Sequence, residues 1–169
     1  MNAKRYEYVL DLKRNRLPPV IREDIVFRHP VSGDAELLGK LMLDSYQGTI
    51  DYEGETLLEA QEEMATSLNG KYGEPLNDCS WMAFARTDLV AACLVVRWQG
   101  EHCAFVTFVM TASQWKGRGL ATTALQASLT SISLAGFQEV RAVITAGNST
   151  SEQLFLRAGF IVVLEINPL

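Results

Sequence analysis

One stretch concentrates residues whose types and spacing suit chemistry: Val109-Met110-Thr111-Ala112-Ser113-Gln114-Trp115-Lys116-Gly117-Arg118-Gly119-Leu120-Ala121. An apolar strand runs into a loop with two spaced glycines, and a long helical pattern starts directly behind it. The first N–H groups of a helix lack internal partners and sit at the positive end of its dipole. Such a loop therefore suits phosphate or pyrophosphate. Glycine lets a ligand come close to the main chain. Lys116 and Arg118 add positive charge to an otherwise acidic chain. The plain alternative is a strand-to-helix turn that uses glycine for geometry only. From these residues alone both readings stay open.

Two familiar phosphate loops fail on the same residues. A P-loop needs G-x-x-x-x-G-K-[ST], which is absent. A dinucleotide fingerprint needs a third glycine where Thr122 stands, and an acid at the end of the next strand; Glu139 stands at that strand's beginning.

The spacing that fits is Q-x-x-G-x-G, at Gln114, Gly117 and Gly119. Here the chain resembles the GNAT superfamily of acyl-CoA-dependent N-acyltransferases, whose signature is [RQ]-x-x-G-x-[GA]. A second stretch, Asn148-Ser149-Thr150-Ser151-Glu152-Gln153-Leu154-Phe155-Leu156-Arg157-Ala158-Gly159-Phe160, resembles the family's N-x-x-A-x-x-L-Y-x-x-x-G-F. The order of elements from Asp24 to Leu169 also matches. The resemblance implies acetyl-CoA (coenzyme A) as co-substrate, with no metal. It implies that Val109 and Thr111 lie on a splayed strand whose backbone pairs with the pantetheine arm. Gln114, Trp115, Lys116, Gly117, Arg118, Gly119 and Leu120 would hold the pyrophosphate through backbone N–H groups, and Asn148 would bond the cofactor arm. An extended, amide-rich ligand can add to a strand edge, so the physics agrees.

One departure matters. The family usually has a tyrosine where this chain has Phe155, and in many members that hydroxyl protonates the departing thiolate. Phe155 cannot. A general acid contributes about 10²–10⁴-fold, but a thiol with a pKa of about 8.5 leaves tolerably unaided, and holding the reactants together can contribute more. Ser149, Thr150 or Ser151, acting directly or through water, is the candidate substitute, and core packing is the equal alternative for Phe155. The attacking amine must also lose a proton. The strand His102–Phe108 carries no carboxylate, and Glu101 and His102 lie at its start. Glu53 or Glu55, after the first helix of the domain, is the candidate catalytic base; a solvated or helix-start role is the competing reading. Cys103 reads as a small core residue, since nothing near it suggests a depressed pKa.

In this fold the first two helices and their connection usually form one wall of the acceptor pocket. That connection is Tyr46-Gln47-Gly48-Thr49-Ile50-Asp51-Tyr52-Glu53-Gly54-Glu55. Two aromatics and three acids suit a cationic amine, and an ordinary polar loop would look the same.

The elements that must position these residues follow from periodicity. Strands are expected at 6–12, 25–28, 80–86, 89–98, 102–110, 139–145 and 160–166, and helices at 33–45, 54–68, 118–135 and 149–158. The last three strands before the glycine loop have short connections and read as an antiparallel meander. The resemblance implies a fold class of α/β (α+β type), a mixed, mostly antiparallel central sheet flanked by about four helices, as in the acyl-CoA N-acyltransferase (GNAT) fold. Leu17-Pro18-Pro19 interrupts any regular element. Residues 1–20 are therefore read as an N-terminal extension or extra edge strand, and 21–169 as the acetyltransferase domain.

The 169 residues make one domain's worth of chain, able to bury about two thirds of its unfolded surface. A net charge of −5 argues against nucleic-acid binding. Three cysteines without a CxxC pair read as free thiols, and no Cys/His cluster has zinc spacing. With no secretory h-region and no run of 18 apolar residues, the expectation is a cytoplasmic protein without a membrane partner. The expected partner is a small-molecule or peptide amine acceptor, and a homodimer is left open. The expected function is acetyl-CoA-dependent N-acetyl transfer to a primary amine by direct transfer. The alternative is a non-catalytic acyl-CoA-binding or regulatory domain of the same fold; a third reading is a structural module that pairs with a partner through residues 1–20.

Overall fold

The computed structural model describes residues 3–15, 17–18, 22–98 and 102–166. Its strands are β1 (Arg5–Asp11), β2 (Val26–Arg28), β3 (Glu74–Pro75), β4 (Trp81–Ala85), β5 (Asp88–Arg97), β6 (Cys103–Thr111), β7 (Glu139–Thr145) and β8 (Ile161–Ile166). Its helices are α1 (Ala35–Tyr46), α2 (Leu57–Leu68), α3 (Leu120–Leu134) and α4 (Ser149–Arg157). They form one sheet in the order β2-β4-β5-β6-β7-β1-β8, with β3 also on β5. Every pairing is antiparallel except β6 with β7.

Helix starts are set by local chemistry. α2 begins at Leu57 rather than 54 because Thr56 caps it: Thr56 Oγ1 accepts from Glu59 N, and the Glu59 carboxylate accepts from Thr56 N at 2.7 Å. α3 begins at Leu120 rather than 118 because Gly119 sits at φ 77°, outside helical space. α1 and α2 cross so closely at Gly39 that a Cβ there would lie 2.6 Å from the Gln61 backbone.

The strand expected at 6–12 forms, but not at an edge. β1 pairs with β7 on one side and β8 on the other, so it has no free edge to offer a partner. Its Tyr8 and Leu10 are 3% and 0% exposed and share one core with Leu125, Leu129 and Ile132 of α3 and Phe155 of α4. The boundary expected after residue 20 falls among residues outside the described set. A second core lies on the opposite face, where Leu38, Leu41 and Met64 of the first two helices meet Met82, Leu94 and Met110 of the sheet.

The sheet opens in its middle. β6 pairs with β7 only over Cys103–Phe105, yet it stays paired with β5 through Thr111. The opening starts at an irregularity. Leu94 faces Phe108 while Val95 faces Val106, leaving Thr107 as an extra residue, its Oγ1 donating to Leu94 O at 3.1 Å. A bulge bends and twists its strand, and here it turns the end of β6 away from β7.

Candidate active site

Beyond Phe105, the side of β6 that faced β7 has no strand partner among the described residues. Val109 and Thr111 lie on this one-sided stretch. Val109 is half-buried beside the α3–α4 core, and Thr111 is 8% exposed. The Thr111 Oγ1 is buried without a hydrogen-bond partner. An orphaned hydroxyl at that position is a fit for a ligand's polar atom.

The strand leads through a short 3₁₀ turn, Ser113–Trp115, into the glycine loop. Gly117 and Gly119 both take left-handed φ, 76° and 77°, and a Cβ on either would meet open space. The N–H groups that open the helix, Gly119 to Thr122, have no hydrogen-bond acceptor among the described residues. They stand at the positive end of a 15-residue helix. Leu120, 1% exposed, roots the helix start in the core, and Trp115 packs beside it. Gln114 is exposed. Arg118 lays its guanidinium 4.6 Å from the Trp115 ring centre, and its carbonyl accepts from Arg22 at 2.9 Å. Lys116 turns away from the glycines and donates through Nζ to Ser45 O at 2.7 Å.

On the other side of the opening, Asn148 caps α4, its Oδ1 accepting from Ser151 N at 3.1 Å. Its amide nitrogen donates to Asp51 Oδ2 at 2.5 Å, so the loop after α1 is tied to the end of β7. Tyr46 is half-buried at the start of that loop. Burial, with the Asp51 carboxylate near it, pushes its hydroxyl pKa upward. Glu53 is exposed and Glu55 folds back, its carboxylate accepting from Glu53 N at 3.1 Å. Among the described residues no hydrogen bond ties either acid to the opening; the acid of this loop that reaches across is Asp51.

Phe155 is 5% exposed, its ring centre 5.0 Å from that of Phe160 and 6.5 Å from that of Tyr8. It is part of the core. All three cysteines are buried and outside any disulfide among the described residues. Burial pushes the Cys93 thiol up to about 12, which rules out a ready thiolate there. Glu101 lies outside the described residues, which hold no group of three His, Cys, Asp or Glu arranged for a metal ion and no helix long and apolar enough to cross a membrane.

Sequence spacing pointed to the glycine loop, and the family resemblance pointed to Asn148. Both missed the anchors of the loop, Asp44 and Ser45: Asp44 accepts from Ser113 and Ser45 Oγ accepts from Thr111 N. A helix-end Asp-Ser pair carries no signal of a partner 66 to 69 residues away.

A family model described as an acetyltransferase (GNAT) domain matches residues 24–161. No protein of curated function matches the chain in sequence. Among solved structures, a GCN5-related N-acetyltransferase from Sphaerobacter thermophilus superposes with a TM-score of 0.71 at 19% identity, over 98% of this chain and 53% of that one. Diaminobutyrate acetyltransferase EctA from Paenibacillus lautus, solved with L-2,4-diaminobutyric acid and coenzyme A, gives 0.60 at 23% identity over 79% and 73%. A ribosomal-protein-alanine N-acetyltransferase from Brucella melitensis gives 0.63 at 21% over 80% and 84%. The chain spans about half the length of the Sphaerobacter protein. At these identities the likeness is one of fold: the same mixed sheet of eight strands with four helices around it. The family match covers most of the chain and the fold agrees with it, so the chain belongs to the GNAT acetyltransferase family.

Proposed function

We propose that this chain is an acetyl-CoA-dependent N-acetyltransferase that moves an acetyl group to a primary amine by direct transfer. One observation carries the reading: a strand left open on one side runs into a glycine loop whose N–H groups are unpaired at a helix start. The backbone of Val109 and the carbonyl of Thr111, whose N–H is held by Ser45 Oγ, would take the amides of the pantetheine arm, as an added strand does. The N–H groups from Gly117 to Leu120 would take the pyrophosphate. Gln114, Trp115, Lys116 and Arg118 shape that loop, and Asn148 borders the arm from the other side.

Bound there, acetyl-CoA supplies an activated acetyl thioester. The nitrogen–carbon bond forms, the carbon–sulfur bond breaks, and the thiolate leaves. The chain's own contribution is to hold both reactants in line, which can be worth about 7–11 kcal/mol of barrier. Phe155 offers no proton, so the thiolate departs to solvent or to a hydroxyl of Ser149, Thr150 or Ser151. A lysine-like amine with a pKa of about 10.4 is neutral in roughly one molecule in a thousand at neutral pH. Glu53 and Glu55 are the carboxylates we assign to draw the cation in and take its proton, with Asp51 fixed beside them by Asn148.

The second reading is an acyl-CoA-binding or regulatory domain without turnover, favoured by Phe155 lying in the core where the family's hydroxyl would stand. Thiol release from acetyl-CoA across a panel of small amines and peptide N-termini separates the two. Release with any acceptor supports transfer. Tight coenzyme A binding with no release from any acceptor supports the second reading.

A further inference from the structure

The loop that would hold the pyrophosphate contains two left-handed glycines, the most flexible backbone a chain can have. Converging N–H groups are useful only if something outside the loop fixes them. The incoming limb is anchored at three points, all on two adjacent residues at the end of α1. Ser45 Oγ accepts from Thr111 N at 3.0 Å. Asp44 accepts twice from Ser113, from its N–H and from its hydroxyl, each at 2.7 Å. Lys116 Nζ donates to Ser45 O at 2.7 Å.

The Lys116 bond explains an oddity of charge. The last turn of α1 has no basic residue of its own, although a helix C-terminus is its negative end. Lys116 supplies that cation from the loop. An ammonium spent on α1 is not spent on a phosphate. Arg118, the other cation of the loop, lies along the Trp115 ring.

We propose that the last turn of α1 is the device that sets the phosphate loop, with Asp44 and Lys116 as positioning residues rather than ligands. This rests on the coenzyme A reading above. Because the chain leaves α1 directly into the loop that Asp51 ties to Asn148, one short segment touches both borders of the opening. Binding on the cofactor side and order on the acceptor side are therefore coupled through it, and such coupling is reciprocal.

The test is calorimetry of coenzyme A binding to the full chain at two salt concentrations, beside melting temperatures without ligand. Asp44→Ala should weaken binding about tenfold while the unliganded melting temperature stays near wild type, and Asp44→Asn, which keeps one acceptor for Ser113, should recover part of the loss. Lys116→Met should weaken binding by a similar factor but keep the wild-type slope of log Kd against log salt, because no phosphate contact is removed. Lys116 is exposed, so this variant folds and decides the matter even where Asp44→Ala does not. A shallower salt slope in Lys116→Met makes it a phosphate ligand and overturns the proposal. So does wild-type affinity in both Asp44→Ala and Lys116→Met. Failure of wild type itself to bind coenzyme A overturns the parent reading instead.

Discussion

Phe155 concentrates the question of chemistry in one ring. It touches Tyr8 and Phe160, and its 5% exposure leaves little room for water. Phe155→Tyr should therefore lower the melting temperature, because a hydroxyl buried without a partner costs about 1–3 kcal/mol. If the variant instead keeps its melting temperature and turns over faster, the position opens onto a wet site and the core assignment fails. The sequence made the substitution itself plain, since the flanking pattern fixes where a tyrosine would stand. It could not say whether the ring faces a ligand or the core. That depends on Tyr8, 147 positions away and brought there by a strand. The glycines were legible for the opposite reason: positive φ is a local demand that residue type answers directly.

Elements carry the site through their ends. α1 is fixed at its start by Asp34, whose carboxylate takes both guanidinium nitrogens of Arg28 at 2.7 and 2.8 Å and the Val31 N–H at 2.8 Å. The Arg28 bond, more than any other contact, holds the Asp34 carboxyl below its ordinary pKa. A lowered pKa means the unfolded chain binds the proton more tightly. The stability from this pair is then fully present above about pH 4 and is lost as pH falls through the folded value. Asp34→Asn should lower stability at pH 7 by about 1–3 kcal/mol and flatten the acid limb of a stability–pH curve. An unchanged acid limb in chemical denaturation would contradict this. Helix ends were readable where a cap announces them, as at Thr56 and Glu59. The opening of β6 was implied by the family resemblance alone, because the bulge at Thr107 depends on register against β5 and no residue type encodes it.

At the scale of the whole molecule, the N-terminal strand joins the sheet rather than decorating it. Its alternation of apolar residues was visible, but its two neighbours lie more than 120 residues away, and nothing local announces a pairing of that range. Leu10 is fully buried in the core that carries Phe155. Leu10→Ala should cost about 2–5 kcal/mol, read by denaturant unfolding; a cost below 1 kcal/mol would return this strand to the status of an appendage. The central claim concerns the loop between β6 and α3, and direct calorimetry of coenzyme A against wild type and Gly117→Asp tests it most plainly. Asp at position 117 puts a negative charge, on a backbone that favours glycine, where the pyrophosphate would sit. The account predicts that wild type binds coenzyme A, that Gly117→Asp does not, and that both fold. A well-folded wild type that takes up no coenzyme A, or a Gly117→Asp variant that binds it equally well, would contradict it.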